Sequence, residues 1–129
     1  MLMDKTLLLA EEQAVTEDAA GKVDNVAAVV KARGDDYSTM WVATIVKTAL
    51  TGSGSSVDVI LQTSDDATFA TPTVLHTVTL TPTNGVKGAV FAYRLPLGLK
   101  KYTRVYFDVT GTVSAGKVTV GLTDGVWAK

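Results

Sequence analysis

The chain has 129 residues, of which 47% are hydrophobic and 19% charged, with no cysteine, one histidine and a formal charge of −1. That is one domain's worth of ordered globular chain. It excludes a disulfide framework and a thiolate metal site, and it offers no basic excess with which to release counterions from nucleic acid. Threonine and valine number 19 each, so the composition leans towards extended backbone with stiff, β-branched side chains.

The first part, residues 1–38, is rich in Ala, Leu, Glu and Asp and has no clean period. Leu7, Leu8, Leu9 and Ala14 would start a short helix, but Gln13-Ala14-Val15-Thr16 would equally open a strand. We read this part as an extended N-terminal segment carrying the first one or two strands of the same domain. It lies across the domain or reaches a neighbouring subunit. The run Leu7-Leu8-Leu9-Ala10 is too short for a signal-peptide core and is followed at once by Glu11-Glu12. No stretch approaches the roughly 20 apolar residues that cross a bilayer as a helix, so neither a membrane nor an export route is expected.

From residue 39 the pattern sharpens. Met40, Val42, Thr44, Val46, Thr48 and Leu50 alternate with Trp41, Ala43, Ile45 and Ala49, which predicts a strand covered on both faces. After the flexible Thr51–Ser56 connection, Val57, Val59 and Leu61 alternate with Asp58, Ile60 and Gln62 as a half-buried strand. Turn chemistry at Thr63–Thr68 precedes a strand from Thr73 to Leu80, on which Val74, His76, Val78 and Leu80 share one face. Asn84-Gly85 signals a hairpin into a strand from Gly88 to Leu95, and Pro82 belongs at or beyond a sheet edge. Val105, Phe107 and Val109 then point inward and Tyr102, Arg104, Tyr106 and Asp108 outward. The last strand runs from Lys117 to Leu122, with Val118, Val120 and Leu122 inward. Residues 39–129 thus form the body of an all-β, single-domain sandwich of jelly-roll-like type.

Chemistry-bearing motifs are sparse. His76 has no Asp or Ser relay beside it and reads as a structural or surface histidine. Asp35-Asp36 and Asp65-Asp66 sit where turns are wanted, with a peripheral cation at Asp65-Asp66 as the open alternative. Arg33-Gly34-Asp35 spells an adhesion tripeptide but reads as a loop. Trp41, Tyr93, Tyr102, Tyr106 and Trp127 would make a sugar-binding platform or, as aromatics on strands more often do, core and interface. Nothing here predicts an enzyme, a metal or another cofactor.

Three stretches together resemble a known family. Asp4-Lys5-Thr6-Leu7-Leu8-Leu9 with Gln13-Ala14-Val15-Thr16 resembles the opening of tailed-bacteriophage capsid cement proteins of the Bbp16-like type. Tyr93-Arg94-Leu95-Pro96-Leu97-Gly98, Tyr102–Thr110 and Ala115–Leu122 resemble that family's later strands. The resemblance implies a structural virion protein, made in the host cytoplasm, that sits on the outside of the phage head. There it bridges major capsid proteins and pairs with itself, as a homodimer rather than a homotrimer. The contacts expected to carry this are Leu7, Leu8 and Leu9 of the N-terminal segment, with Trp127 as a second anchor; ordinary core packing is the alternative for the leucines. The rival function is a carbohydrate- or receptor-binding β-sandwich of a phage tail or fibre.

Overall fold

The structure, a computed structural model, describes residues 8–23, 26–27, 30–31, 41–66, 68–94 and 100–123. Its strands in chain order are β1 (Leu8–Ala14), β2 (Ala19–Ala20), β3 (Lys22–Val23), β4 (Val26–Ala27), β5 (Val30–Lys31), β6 (Trp41–Thr51), β7 (Ser56–Ser64), β8 (Thr73–Leu80), β9 (Val90–Arg94), β10 (Tyr102–Thr110) and β11 (Ala115–Thr123). No helix occurs among the described residues. One sheet has the order β1-β11-β6-β9 and the other β2-β10-β7-β8, with β5 also pairing β10; β3 and β4 form a small separate ribbon.

Every pairing is antiparallel and the pairings are nested. β1 pairs β11, β2 pairs β10, β6 pairs β9 and β7 pairs β8. The chain is therefore a long ribbon doubled back on itself and wound so that successive pairs fall on alternate sheets. This is jelly-roll connectivity. The N-terminal strands are built into it: β1 completes one sheet, while β2 and β5 lie along β10 in the other.

Alternation puts one face of each sheet against the other. From one sheet Val42, Val46, Val118, Val120 and Leu122 enter the core, and from the other Val57, Val59, Leu61, Val105 and Phe107. Phe107, in mid-β10, is fully buried. Each such aliphatic or aromatic side chain contributes about 1.5–3 kcal/mol relative to exposure. On β10, Tyr102, Arg104 and Tyr106 take the opposite, half-exposed face, as the alternation predicts.

The period of two fails where a strand carries an extra residue. Between Val46↔Val118 and Thr48↔Lys117 the ladder slips, leaving Lys47 without a cross-strand partner. Thr48, expected inward with Val46 and Leu50, is exposed as a result. On β8 the register moves from Leu61↔His76 to Gln62↔Val74, so Leu75 is the unpaired residue. Leu75 packs on the core, whereas Val74, expected to share a face with Val78 and Leu80, is 56% exposed while those two pack inward.

The hairpin expected at Asn84-Gly85 does not form. A tight turn is there: Asn84 Oδ1 accepts the Thr81 N–H at 2.7 Å and the Gly85 N–H donates to the Thr81 carbonyl at 2.7 Å. The chain leaving it, however, bonds to β6, with Leu50 N–H to the Gly85 carbonyl at 2.8 Å and Val46 N–H to the Ala89 carbonyl at 2.9 Å. The turn therefore carries the chain from β8 in one sheet to β9 in the other.

At the opposite side Gly21 closes the corner between the sheets. Its N–H donates to the Val105 carbonyl at 2.7 Å, and the Leu9 carbonyl oxygen occupies the space where a Cβ would stand. Only glycine fits. Inside the core, the Thr44 and Thr103 hydroxyls are buried without a hydrogen-bond partner.

Two stability outcomes follow. Gly21→Ala forces β1 away from β10 and lowers the unfolding free energy by about 2–3 kcal/mol in urea titration. Thr44→Val removes an unpaired buried hydroxyl at nearly constant shape, adding about 1 kcal/mol and raising Tm by roughly 3–5 °C in calorimetry.

Candidate functional site

Of the four residues expected to grip a partner, Leu8 and Leu9 are strand residues of β1 and are buried in the domain itself, at 8% and 0% exposure. Leu8 lies opposite Gly121 of β11, and Leu9 belongs to the central core cluster. Core packing, the alternative reading for the leucines, describes these two. Leu7 and Trp127 lie outside the described residues, as do Asp35-Asp36 and Arg33-Gly34-Asp35.

Asp66 is engaged in turn chemistry. Its Oδ1 accepts the Thr68 N–H at 3.0 Å and its Oδ2 the Thr68 hydroxyl at 2.6 Å. These bonds, the hydroxyl's first, hold its carboxyl below the usual carboxylate value. Among the described residues no group of three or more His, Cys, Asp or Glu is placed to hold a metal ion. An open hollow of about 380 Å³ beside β1 is lined by Glu11, Glu12, Gln13, Thr16, Glu17 and Lys117, among others.

His76 works as a stacking surface. Its ring lies 3.9 Å from that of Tyr93, centroid to centroid, with the planes inclined by 32°. Since His76 is on β8 and Tyr93 on β9, this contact joins the edge strands of the two sheets. Tyr93 also packs on the core, and burial pushes its phenol above the ordinary value of about 10. Nearby stretches carry the large hydrophobic residues that are most exposed among those described, Val74, Val86 and Val90.

The outer face of the second sheet holds an organised polar group. Arg104 stands between Tyr102 and Tyr106 on β10, and its Nε–H donates to Gln62 Oε1 across the ladder at 2.9 Å. The guanidinium carbon lies 4.3 Å from the centroid of the Phe69 ring and 5.5 Å from that of Tyr106. Lys101 Nζ is 5.5 Å from the Tyr102 ring centroid, and Lys100 Nζ donates to Thr73 Oγ1 at 3.1 Å. At the other end of the face Asp58 and Asp108 stand opposite each other, with Asp58 accepting the Thr79 hydroxyl at 2.8 Å. The sequence reading placed Arg104 outward but did not single it out; the Tyr-x-Arg-x-Tyr alternation was the available signal. Phe69 gave no signal, because its position depends on a turn and not on a strand period.

Raising the pH tests the Tyr93 environment. The unfolded chain loses the phenolic proton near pH 10 and the folded chain later, so this group's contribution is intact below pH 10 and is lost as pH rises beyond it. Urea midpoints are expected to hold steady from pH 8 to 9 and to fall above 10. In Tyr93→Phe that fall is shallower by up to about 1 kcal/mol per pH unit.

A family model described as Bbp16 matches residues 9–122, a span running from β1 into β11. No curated protein matches the chain.

Proposed function

The chain belongs to the Bbp16 family, a phage-associated family, and from that premise we propose that it is a capsid cement or decoration subunit. In this reading it binds the outer surface of the phage head, bridges neighbouring major capsid proteins and stabilises the shell. It catalyses nothing and uses no cofactor. The observation that carries the reading, beside the family, is where the organised side chains sit. The interior between the sheets is lined mainly by aliphatic and aromatic residues, while Arg104, Tyr102 and Tyr106 lie on an outer face and Val74, Val86 and Val90 are exposed. A domain arranged in this way acts by covering protein surface.

The physical mechanism is multivalent burial. A specific contact of standard size buries about 1,600 Å² in total. When one subunit, or a homodimer of it, engages two capsid proteins, the second contact forms at a high effective concentration, and loosening the shell requires both to break together. The tail- or fibre-module reading draws on the half-exposed Tyr102 and Tyr106, which would suit sugar stacking.

Purified protein mixed with expanded head shells lacking it, then imaged by electron cryomicroscopy, distinguishes the two. The expected result is stoichiometric occupancy of one symmetry-related position and a higher temperature of shell disruption. Absence from shells together with saturable binding to a glycan would replace this reading with the tail-module one.

A further inference from the structure

We propose that the Arg104 end of the second sheet's outer face is a seat for a carboxylate side chain of a partner protein. The proposal rests on the reading of the chain as a shell-binding subunit and names the chemistry of one of its contacts. Arginine carries five N–H donors in a flat fork. Here the Nε–H is taken by Gln62, itself only 8% exposed, and the guanidinium is stacked against Phe69 and Tyr106. Those contacts fix the plane of the fork. Its remaining four N–H groups have no partner among the described residues, and no described carboxylate pairs with it. Burial lowers the Arg104 pKa from its ordinary value, with Tyr106 acting in the opposite direction.

The backbone beneath the fork is shaped at a cost. Phe69 has φ +54°, a left-handed conformation rare for a bulky residue. The Asp66 turn imposes it: the Phe69 N–H donates to the Asp66 carbonyl at 3.0 Å, and the Asp66 N–H donates to Ser64 Oγ at 3.1 Å. The result is an aromatic ring, 5% exposed, laid beneath the guanidinium. Strain of this kind persists where surrounding bonds over-determine it, and it concentrates at functional sites.

Charge selects the occupant. Lys100, Lys101 and Arg104 outnumber the two carboxylates of the adjoining turn, the exposed Asp65 and Asp66, and Asp66 has both oxygens engaged by Thr68. A planar, pre-oriented, cationic fork with unused donors matches a carboxylate held two-toothed. An acidic side chain presented by a protein surface is the occupant we assign.

The test titrates full-length protein onto purified head shells that lack it, at low and at high salt. Arg104→Met keeps an apolar cover over Phe69 and removes the fork. It is expected to weaken binding about thirtyfold at low salt and to flatten the salt dependence. Arg104→Lys keeps the charge without the fork and is expected to lose about fivefold. Lys47→Gln, on the other sheet, changes binding less than about twofold because it removes a solvated surface charge. Melting curves check that each variant is folded; if Arg104→Met is not, Arg104→Lys decides.

Equal binding by wild type and the folded Arg104 variants overturns this inference and leaves the proposed function standing. Failure of the wild type to bind removes the proposed function and this inference with it. Two further results overturn the assignment. One is a wild-type dimer that Arg104→Met converts to monomer in sedimentation with shell binding unchanged, since the seat would then belong to a second copy. The other is Arg104-dependent binding of N-acetylneuraminic acid with shell binding unchanged, which places a sugar acid in the seat.

Discussion

Nested pairing is the constraint on which the rest of the molecule depends. β10 and β11 occupy interior positions in the two sheets, each flanked by an N-terminal strand on one side and a middle strand on the other. Val105 and Phe107 on one, and Val118, Val120 and Leu122 on the other, supply the facing apolar rows against which the outer strands settle. Once that register is set, the direction of each outward side chain on β10 follows, including the Tyr102–Arg104–Tyr106 row.

Two lateral closures hold the sheets together. At one side Gly21 lets the β1 carbonyl of Leu9 approach as the chain passes to β10. At the other, His76 and Tyr93 stack across the gap between β8 and β9. The two are physically different. The first is a backbone approach that tolerates no side chain; the second is aromatic contact, soft enough to accept a change in one ring. A domain closed at both sides presents rigid outer faces, which lowers the ordering cost of binding a large partner.

Much of this was legible in the residues. The inward set Val105, Phe107 and Val109 follows from alternation alone, because β10 presents one face to the core. The misses share a cause. Thr48 and Val74 lie beside single-residue slips, and whether a strand bulges is decided by its partner, which a local period cannot contain. Asn84-Gly85 does make a turn, but which strand the chain joins after it depends on β6, more than thirty residues earlier. Leu8 and Leu9 are both buried although neighbours on a strand should part, and β1 is irregular just there, between Leu8 and Ala10. For the candidate seat, Arg104 was readable as outward-facing, whereas the ring beneath it depends on a positive φ at Phe69 that its residue type disfavours.

The winding order also bears on how the polypeptide comes into being. During synthesis β1 emerges first and its neighbour β11 last, so the earliest strand waits alone for nearly the whole passage through the ribosome. At about 5–20 residues per second that wait is on the order of ten seconds. The β3–β4, β7–β8 and β6–β9 pairs can close early, but β10 and β11, which join the N-terminal strands to the middle ones, emerge after them. The nascent chain therefore exposes β-rich apolar segments for seconds, an interval in which they are open to wrong pairing.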